Sequence, residues 1–530
     1  MIKKSLFKQT SAMCALAIAG VVAMPASVYA DEVTLRSSDG TVNIVGEFQG
    51  FEENAYIIKT GLGELRISAE RVRCEGAACP VFETASADVI IAGSDTVGLG
   101  VMPLLLEGYA GFLDAESSVT ATSNEGEILA EMTGDQGFGD PLNSYLVSST
   151  GSSDAFSKLL AQETEIGMAS RRIRPAEARA LRDAGAGNMI APTQEHIVAV
   201  DSLVVITHPD NPIQKLSMEQ LADIYAGNIT NWNQLGGNDG EIKTFTRPEN
   251  SGTRAVFTNA IYGGDAPSGS ADSEVVSGNS DMAAAVNNDV NGIGFVSYAF
   301  QRGAKALSLV NECGITMTPD PFSARTEEYA LQRRLYLYNR ADTLSDSSRE
   351  FLDFVISENA DGVIAKSGFI GLGIDKRSMP IDGDRALNLL NNDVDAFEGG
   401  VMREMLSTMV DFDRLSTTFR FRTGSSNLDE RGRVDMKRLT QYLESVPEGT
   451  EVKLVGFTDS VGAFQSNRGL SERRAQQILE ELQAVAGDRI AGVRLSAAGY
   501  GEVAPSACNI SEDGRRINRR VEVWISNQDG

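Results

Sequence analysis

The sequence predicts an α/β protein of several domains, preceded by a small antiparallel β unit. Its 530 residues correspond to roughly three domains, at about 150 residues each. Hydrophobic residues make up 42% of the chain and charged residues 23%, which excludes a wholly disordered, collagen-like or disulfide-dense chain. Between residues 85 and 375, short β-rich runs alternate with helical patterns, as is typical of sheets covered by helices. A stretch of this length indicates two lobes.

Residues 1–30 have the features of an export signal. A basic start with Lys3, Lys4 and Lys8 precedes an apolar run, and a Val-Tyr-Ala ending precedes Asp31. We expect cleavage after Ala30. No other stretch approaches the roughly 18 apolar residues that span a bilayer, so we predict no transmembrane segment after signal cleavage. These features are typical of a protein of the Gram-negative periplasm.

The net charge of −26 limits the possible partners. A nucleic-acid partner would require a basic face that releases counterions, so we predict no nucleic-acid binding. Any anion that this protein binds must be held by local donors.

Residues 31–82 alternate apolar and polar positions between turn signals, which predicts the small β unit. Cys74 and Cys79 enclose a short loop there, and in an oxidising compartment they are expected to form a disulfide. A metal site is the weaker alternative, because the chain has only two histidines and neither is near this pair. Cys313 and Cys508 lie in separate segments and are candidate free thiols. We predict no metal and no cofactor.

Two further segments follow the middle region. Residues 376–412 open with proline and glycine and then place apolar residues at helical spacing, which predicts a partly helical connector. Residues 413–530 alternate strand and helix patterns and predict a separate small α/β domain.

Three helix starts in the middle region combine glycine with hydroxyl side chains. They lie in the segments "GSDTVGLG", "STGSSDAFSKLL" and "RPENSGTRAVF". Free backbone N–H groups and the helix dipole make such starts anion sites. The alternative interpretation of each serine or threonine is a simple helix cap. Arg247 precedes the third start by a few residues and offers a planar fork that suits a tetrahedral oxyanion.

These motifs resemble those of periplasmic phosphate-binding proteins of ABC importers. The resemblance covers residues 85–375 and includes "IGMASRRI", "VDSLVVITHPDNP", "LADIYAGNITNW" and "NGIGFVSYAF". It implies a two-lobed, type II-like fold that closes over its ligand, with Glu249 either bracing Arg247 or accepting a proton from the ligand. The predicted phosphate-binding residues are Ser94, Thr96, Ser152, Ser153, Ser170, Arg171, Arg247, Glu249, Ser251, Gly252 and Thr253.

One position departs from a branch of this family. After the "GMAS" motif, that branch has an aspartate that accepts a hydrogen bond from protonated phosphate, whereas this chain has Arg171. A buried acceptor favours phosphate over sulfate, which carries no proton at neutral pH. Discrimination must then come from Glu249 or from a backbone carbonyl, and phosphate is the preferred ligand among similar oxyanions.

The C-terminal domain carries a second group of polar residues. The strand "EVKLVGFTD" ends at Asp459, Ser471 is expected to cap the next helix, and Arg474 would lie in its first turn. A carboxylate and a guanidinium that flank one pocket suit a zwitterionic ligand. An internal Asp459–Arg474 salt bridge is the alternative.

The segment "GFTDSVGAFQSNRGLSERRAQQI" and the sequence after it resemble the OmpA-like peptidoglycan-binding domain. In that family the aspartate and arginine of this pattern grip the diaminopimelate of the stem peptide, which implies this role for Asp459 and Arg474. The predicted peptidoglycan-binding residues are Thr458, Asp459, Asn467, Leu470, Ser471, Arg474, Asn518 and Arg519.

The leading hypothesis is a binding protein and not an enzyme: a receptor for phosphate or a similar oxyanion, held non-covalently on peptidoglycan near the outer membrane. It would serve phosphate uptake, storage or sensing, with an ABC permease as a possible partner. One alternative is a structural wall-linking protein with a different or lost ligand. Another is a phosphate-ester hydrolase that uses Ser251, although no general base is recognisable beside it.

Overall fold

The structure is a computed structural model. It describes residues 32–37, 43–52, 55–61, 63–68, 72–76, 78–79, 87–122, 124–264, 272–383, 385–386, 395–421, 428 and 430–527. The predicted export signal lies outside the described residues. Among the helices in these ranges, none combines the length and the apolar character needed to cross a membrane.

The N-terminal unit is an antiparallel sheet, as the alternating pattern predicts. Its strands are β1 (Glu32–Arg36), β2 (Asn43–Glu52), β3 (Ala55–Thr60), β4 (Gly63–Ser68) and β5 (Arg73–Glu75). They pair in the order β4-β3-β2-β1-β5. One face buries Leu35 and Ile58, because successive side chains of a strand point to opposite faces. The predicted Cys74–Cys79 disulfide is confirmed.

The middle domain contains the strands of two α/β lobes. They are β6 (Val89–Gly93), β7 (Glu116–Ala121), β8 (Glu127–Thr133), β9 (Pro141–Ser149), β10 (Ile166–Ala169), β11 (Glu195–Thr207), β12 (Lys215–Ser217), β13 (Lys243–Thr246), β14 (Glu274–Val275), β15 (Gly292–Ser297), β16 (Lys305–Ala306), β17 (Ser308–Val310), β18 (Thr316–Met317) and β19 (Gln332–Asn339). Strand β11 belongs to both lobes, since residues 195–202 pair with β19 and residues 203–207 pair with β15. This long buried strand confirms the predicted two-lobed architecture with crossing strands.

Helices cover both lobes. They are α1 (Asp95–Gly98), α2 (Met102–Phe112), α3 (Gly134–Gly137), α4 (Ser152–Ala161), α5 (Pro175–Asp183), α6 (Met218–Ala226), α7 (Gly252–Tyr262), α8 (Asn279–Asn287), α9 (Pro321–Arg325), α10 (Asp346–Val355) and α11 (Asp361–Lys366). Short 3-10 turns span Trp232–Leu235, Tyr298–Phe300 and Glu358–Ala360. The helices α1, α4, α7 and α8 begin near the ends of the strands that precede them, and this arrangement positions the site described below.

The C-terminal domain is a second α/β unit. Its elements are β20 (Lys376–Arg377), α12 (Ala396–Val410), β21 (Phe412–Arg420), α13 (Glu430–Glu444), β22 (Glu451–Phe457), α14 (Phe464–Ala486), a 3-10 turn (Gly487–Ile490), β23 (Arg494–Gly499), α15 (Glu512–Asn518) and β24 (Arg520–Ser526). The sheet order is β20-β21-β24-β22-β23, with β22 and β23 parallel.

The predicted connector belongs to this C-terminal domain. Helix α12 lies within residues 376–412, and its apolar residues Met402 and Met405 pack with Phe457 and Trp524 of the domain core. Strand β20 pairs with β21. The described part of the segment is therefore packed onto the domain and does not act as a separate spacer.

A disulfide and buried ion pairs join the middle and C-terminal domains. Cys313 and Cys508 are bonded to each other, so neither is the free thiol that the sequence left open. Their separation of 195 residues leaves no local sequence signal for the pairing. Glu328 pairs with Arg414 at 2.8 Å across the same interface. The two domains are thus linked both covalently and electrostatically.

Candidate functional site

The predicted helix starts of the first lobe lie together at one sheet edge. Strands β6, β9 and β10 are parallel neighbours, so their carboxyl ends meet at the same edge. Ser94, Ser152 and Ser170 follow these three strands and are buried. Such an edge, with helices starting from it, is the usual ligand crevice of an open α/β sheet.

Hydroxyl groups from the two lobes meet across this edge. Thr96 of α1 and Thr253 of α7 have their Oγ1 atoms 3.3 Å apart. Ser152 and Ser170 have their Oγ atoms 3.1 Å apart. A Cβ atom at position 252 would lie 2.2 Å from the Ser152 Oγ and 2.4 Å from the Ser170 Oγ. A side chain at position 252 would force these serines to shift, so Gly252 lets the start of α7 approach the hydroxyl groups of the first lobe.

Arg247 supplies a guanidinium to the same cleft. It follows β13 and is 1% exposed, and its Nη2 donates to the Asp95 Oδ2 at 2.7 Å and to the Ser277 carbonyl at 2.8 Å. Its Nε and Nη1 are buried without a hydrogen-bond partner among the described residues. Leaving charged donors buried and unpaired is costly, so these two atoms indicate a place for an anionic ligand.

Four cleft residues were not predicted from the sequence, namely Asp95, Asp201, Asn279 and Arg333. Arg333 of β19 donates through Nη1 to the Thr253 Oγ1 at 2.9 Å and through Nε to the Asp201 Oδ2 at 2.9 Å. Asn279, the first residue of α8, donates to the Thr96 Oγ1 at 3.1 Å. Burial lowers the pKa of Arg333, and the Asp201 carboxylate opposes this effect. A pair of arginines before the apolar residues of β19, and a fourth polar helix start after Gly278, are the signals that could have revealed Arg333 and Asn279.

The structure gives Arg247 a different carboxylate partner from the predicted one, and it gives Arg171 an internal partner. Glu249 is exposed and does not brace Arg247, because Asp95 is the carboxylate that pairs with that guanidinium. Arg171 forms an ion pair with Glu177 at 2.6 Å and donates to the Ser153 Oγ at 3.2 Å. Both Glu249 and Arg171 line a cavity of 1570 Å³ between the middle and C-terminal domains.

Two serines of the predicted set have different local roles. The Ser251 side chain accepts from the Arg254 backbone N–H at 3.4 Å, which is the capping alternative at the start of α7. The Ser94 Oγ is buried and has no hydrogen-bond partner in the described parts of the chain. Contact of Ser94, Thr96, Ser152, Ser170 and the other predicted residues with a ligand stays a prediction.

The C-terminal domain holds a second polar pocket, after β22. The Asp459 Oδ2 accepts from the Arg519 Nη1 at 2.8 Å, and the Arg519 Nη2 donates to the Glu512 Oε1 at 2.8 Å. Arg474 is buried, lies over the Phe421 ring at 5.1 Å, and has no partner for its Nη1 among the described residues. Burial and the charge of Arg519 lower the pKa of Arg474, while Asp459 raises it. Asp459 thus pairs with Arg519, and the predicted alternative of an Asp459–Arg474 salt bridge is wrong.

The start of α14 also differs from the prediction. The helix begins at Phe464, so Ser471 is not its cap and Arg474 lies in its third turn. The Ser471 Oγ instead donates to the Arg468 carbonyl and accepts from the Gly501 backbone N–H at 2.9 Å. It therefore ties α14 to the loop after β23.

The remaining predicted residues of this pocket support its walls. The Asn467 side chain donates to the Asp459 carbonyl at 3.3 Å, and the Asn518 Oδ1 accepts from the backbone of Ser506 and Ala507. Leu470 is partly buried, and the buried Thr458 Oγ1 has no partner in the described chain. The pocket therefore offers a carboxylate, a guanidinium and a hydroxyl within one small area.

The fold and cleft define a two-lobed α/β binding protein joined to a second α/β module. Residues 84–359, more than half of the chain, match the family model described as "PBP superfamily domain", and residues 420–519 match the OmpA family. The chain belongs to the PBP superfamily and carries an OmpA family domain.

Known relatives divide between these two parts of the chain. The phosphate-binding protein PstS of Bacillus subtilis is 27% identical over 178 residues, 33% of this chain and 57% of that protein. Outer membrane porin F of Pseudomonas aeruginosa is 38% identical over 125 residues, 24% of this chain and 32% of the porin. The chain thus spans less than two thirds of either relative. An ABC-type phosphate transport receptor from Vibrio cholerae is 27% identical over 53% of this chain and 99% of that receptor, with a TM-score of 0.39.

Proposed function

We propose that this protein binds phosphate in the cleft of its middle domain and attaches non-covalently to peptidoglycan through its C-terminal domain. The proposed location is the periplasm of a Gram-negative bacterium, at the cell wall. The relatives named phosphate-binding protein support the first activity, and the OmpA family domain supports the second.

The proposal of anion binding rests on the two buried, unpaired nitrogens of Arg247. The cleft contains two guanidiniums, Arg247 and Arg333, and two carboxylates, Asp95 and Asp201, so their formal charges cancel. An anion would then be held by directed hydrogen bonds from the unpaired Arg247 nitrogens, hydroxyl groups and helix starts. Donors of this kind suit a small tetrahedral oxyanion better than a large apolar ligand.

The proposal of peptidoglycan binding rests on Arg474. Its unpaired Nη1 offers a charged donor for a carboxylate, and Asp459, in the loop after β22, offers an acceptor for an ammonium group. A diaminopimelate side chain carries both groups. Arg519 and Glu512 hold Asp459 in place and make the pocket preformed.

The two alternative functions gain less support. For a hydrolase, the Ser251 hydroxyl is engaged as a cap, and the buried His196 Nε2 is hydrogen-bonded to the Asn339 Oδ1 at 2.8 Å. For a wall linker without a ligand, buried unpaired donors in the cleft would be a cost without a benefit.

The junction between the domains bears on the physiological role. Because the connector packs onto the C-terminal domain and the Cys313–Cys508 disulfide bridges the interface, the receptor stays beside its anchor. We favour storage or sensing of phosphate at the wall, or delivery to an ABC permease close by, over delivery by free diffusion.

Calorimetric titration of the full exported chain with phosphate tests the cleft. Sedimentation with isolated cell-wall sacculi tests the C-terminal pocket. We expect stoichiometric heat with phosphate and retention on sacculi in low and moderate salt. Absence of heat with phosphate and with other oxyanions would favour the wall-linker alternative, and a protein that stays in the supernatant would contradict anchoring.

A further inference from the structure

The carboxylate of Asp95 lies inside the cleft and keeps one oxygen available. Asp95 is 7% exposed and stands between Ser94 and Thr96, two predicted cleft residues. Its Oδ2 accepts from the Arg247 Nη2 at 2.7 Å and from the Asn279 Nδ2 at 3.5 Å. Its Oδ1 accepts no side-chain hydrogen bond from the described residues. One oxygen therefore fixes the orientation of the group while the other remains an acceptor.

Asp201 and Glu249, the other carboxylates considered for this cleft, do not have this property. In Asp201, Oδ1 accepts from the Ser297 Oγ at 2.8 Å and Oδ2 accepts from the Arg333 Nε at 2.9 Å, so both oxygens are engaged. Glu249 is exposed on the rim of the interdomain cavity. At position 171 the chain has an arginine that is bound to Glu177. Asp95 is thus the carboxylate placed to meet a ligand.

We propose that the Asp95 Oδ1 accepts a hydrogen bond from a protonated oxygen of the bound oxyanion, and that this contact selects phosphate and arsenate over sulfate and selenate. This inference rests on the proposed oxyanion binding and assigns its selectivity to one residue. The proton stays on the ligand oxygen throughout, so no covalent bond forms or breaks. It moves the acceptor role from Glu249, or from a backbone carbonyl, to the side chain of the first residue of α1.

The physical basis is that phosphate and arsenate can carry a proton at neutral pH, whereas sulfate and selenate do not. Hydrogen phosphate presents an O–H group to Oδ1, whereas sulfate would present a bare oxygen to a buried carboxylate that it cannot satisfy. A site that hydrogen-bonds a specific polar group rejects an analogue without it by several orders of magnitude, because its own buried group is left unpaired. We therefore expect at least a hundredfold preference for phosphate over sulfate in the native protein.

The test is calorimetric titration of the full exported chain and of D95N with phosphate, arsenate, sulfate and selenate at neutral pH. The asparagine carbonyl can still accept from Arg247, while its amide turns a donor toward the ligand. We expect D95N to bind phosphate at least tenfold more weakly and to bind sulfate more tightly, so that the preference falls by more than tenfold. The matched variant E249Q removes the rival acceptor and should keep the native preference.

The outcomes separate this inference from the proposed function. A D95N protein that keeps the native phosphate-to-sulfate preference would overturn the role of Asp95 and leave oxyanion binding intact. Loss of the preference in E249Q would instead assign the role to Glu249. A native chain that binds none of the four oxyanions would overturn the proposed function itself. If D95N does not fold, as judged by circular dichroism, the same four titrations on D95S decide the question.

Discussion

The cleft and the interdomain interface are both buried clusters of arginine and acidic side chains, but their carboxylates differ in the number of partners. At the interface, Glu327 contacts the guanidiniums of four arginines at 2.8–3.4 Å, namely Arg334, Arg420, Arg431 and Arg516. Glu522 of the C-terminal domain, which shares Arg414 with the interface residue Glu328, contacts the guanidiniums of Arg385, Arg414 and Arg520. In the cleft, Asp95 engages Arg247 through one oxygen only.

This difference distinguishes structural from ligand-binding charge. A carboxylate surrounded by three or four guanidiniums has its acceptor capacity used within the protein, and removing one partner from such a network is strongly destabilising. An arginine with two unpaired nitrogens beside a carboxylate with one free oxygen is incomplete without a further molecule. Changes in the cleft should therefore alter affinity, and changes at the interface should alter stability.

We expect the largest change in phosphate affinity for R247Q. Each hydrogen bond to a charged group contributes about 1.5–3 kcal/mol, and Arg247 has two unpaired nitrogens to offer. We expect phosphate affinity to fall by about a hundredfold or more. Calorimetric titration measures it, and R179Q, which neutralises an exposed arginine of α5, is the matched control. Equal affinities of R247Q and R179Q would contradict the assignment of the cleft.

For E327Q at the interface, we expect a loss of stability and no loss of phosphate affinity. Neutralising one member of a buried ion network typically costs about 3–5 kcal/mol, because the facing charges lose their partner. We expect a clearly lower melting temperature with unchanged phosphate affinity. E358Q, at an exposed glutamate, controls for the loss of one negative charge. A change in phosphate affinity without a change in melting temperature would remove the distinction between the two clusters.

The sequence predicts those parts of the cleft that have a local signature. Ser152, Gly252 and Thr253 lie at helix starts, where residue type and position follow from the chemistry of unpaired backbone N–H groups. Arg333 and Asp201 are 132 residues apart in the chain and meet only because β11 and β19 pair. No pattern within either segment shows that pairing, so neither residue could be predicted from the sequence.

The C-terminal domain shows the same limit. Its motif predicts Asp459 and Arg474 as pocket residues, but α14 begins after Ala463, which has no capping side chain. Ser471 is a good capping residue type and therefore attracted the prediction, although it lies inside the helix. The spacing of apolar residues predicts α12 but cannot show that its partner is Trp524, over a hundred residues later.

A smaller loss of binding is expected for R474Q in the wall pocket. The substitution removes one unpaired charged nitrogen, so the affinity for the stem peptide should fall by about tenfold or more. Sedimentation with sacculi measures retention, and R473Q, at the exposed neighbouring arginine, is the matched control. Phosphate binding should be the same in both variants. If R474Q is retained as well as R473Q, this pocket does not hold the wall.

The smallest effect is the dependence of interface stability on pH through Glu328. Burial opposes ionisation of this side chain, but the charge and hydrogen bonds of Arg414 outweigh it and lower the pKa from 4.5 to about 2. The unfolded chain therefore takes up the proton first as the pH falls. The stabilisation is fully present above pH 4.5 and is lost as the pH falls toward 2.

The measurement is the melting temperature of the native chain and of E328Q between pH 5.5 and pH 3.5, a window of about two pH units around the ordinary pKa of glutamate. Glu328 should contribute a loss of about 1 kcal/mol per pH unit below pH 4.5. E328Q has no proton to take up at this position, so it should be less stable at pH 5.5 but should lose less stability as the pH falls. Because all other carboxylates are common to both proteins, the difference between the two slopes isolates Glu328. Parallel slopes would show that Glu328 is not held ionised by Arg414, and that the interface is less completely paired than its contacts indicate.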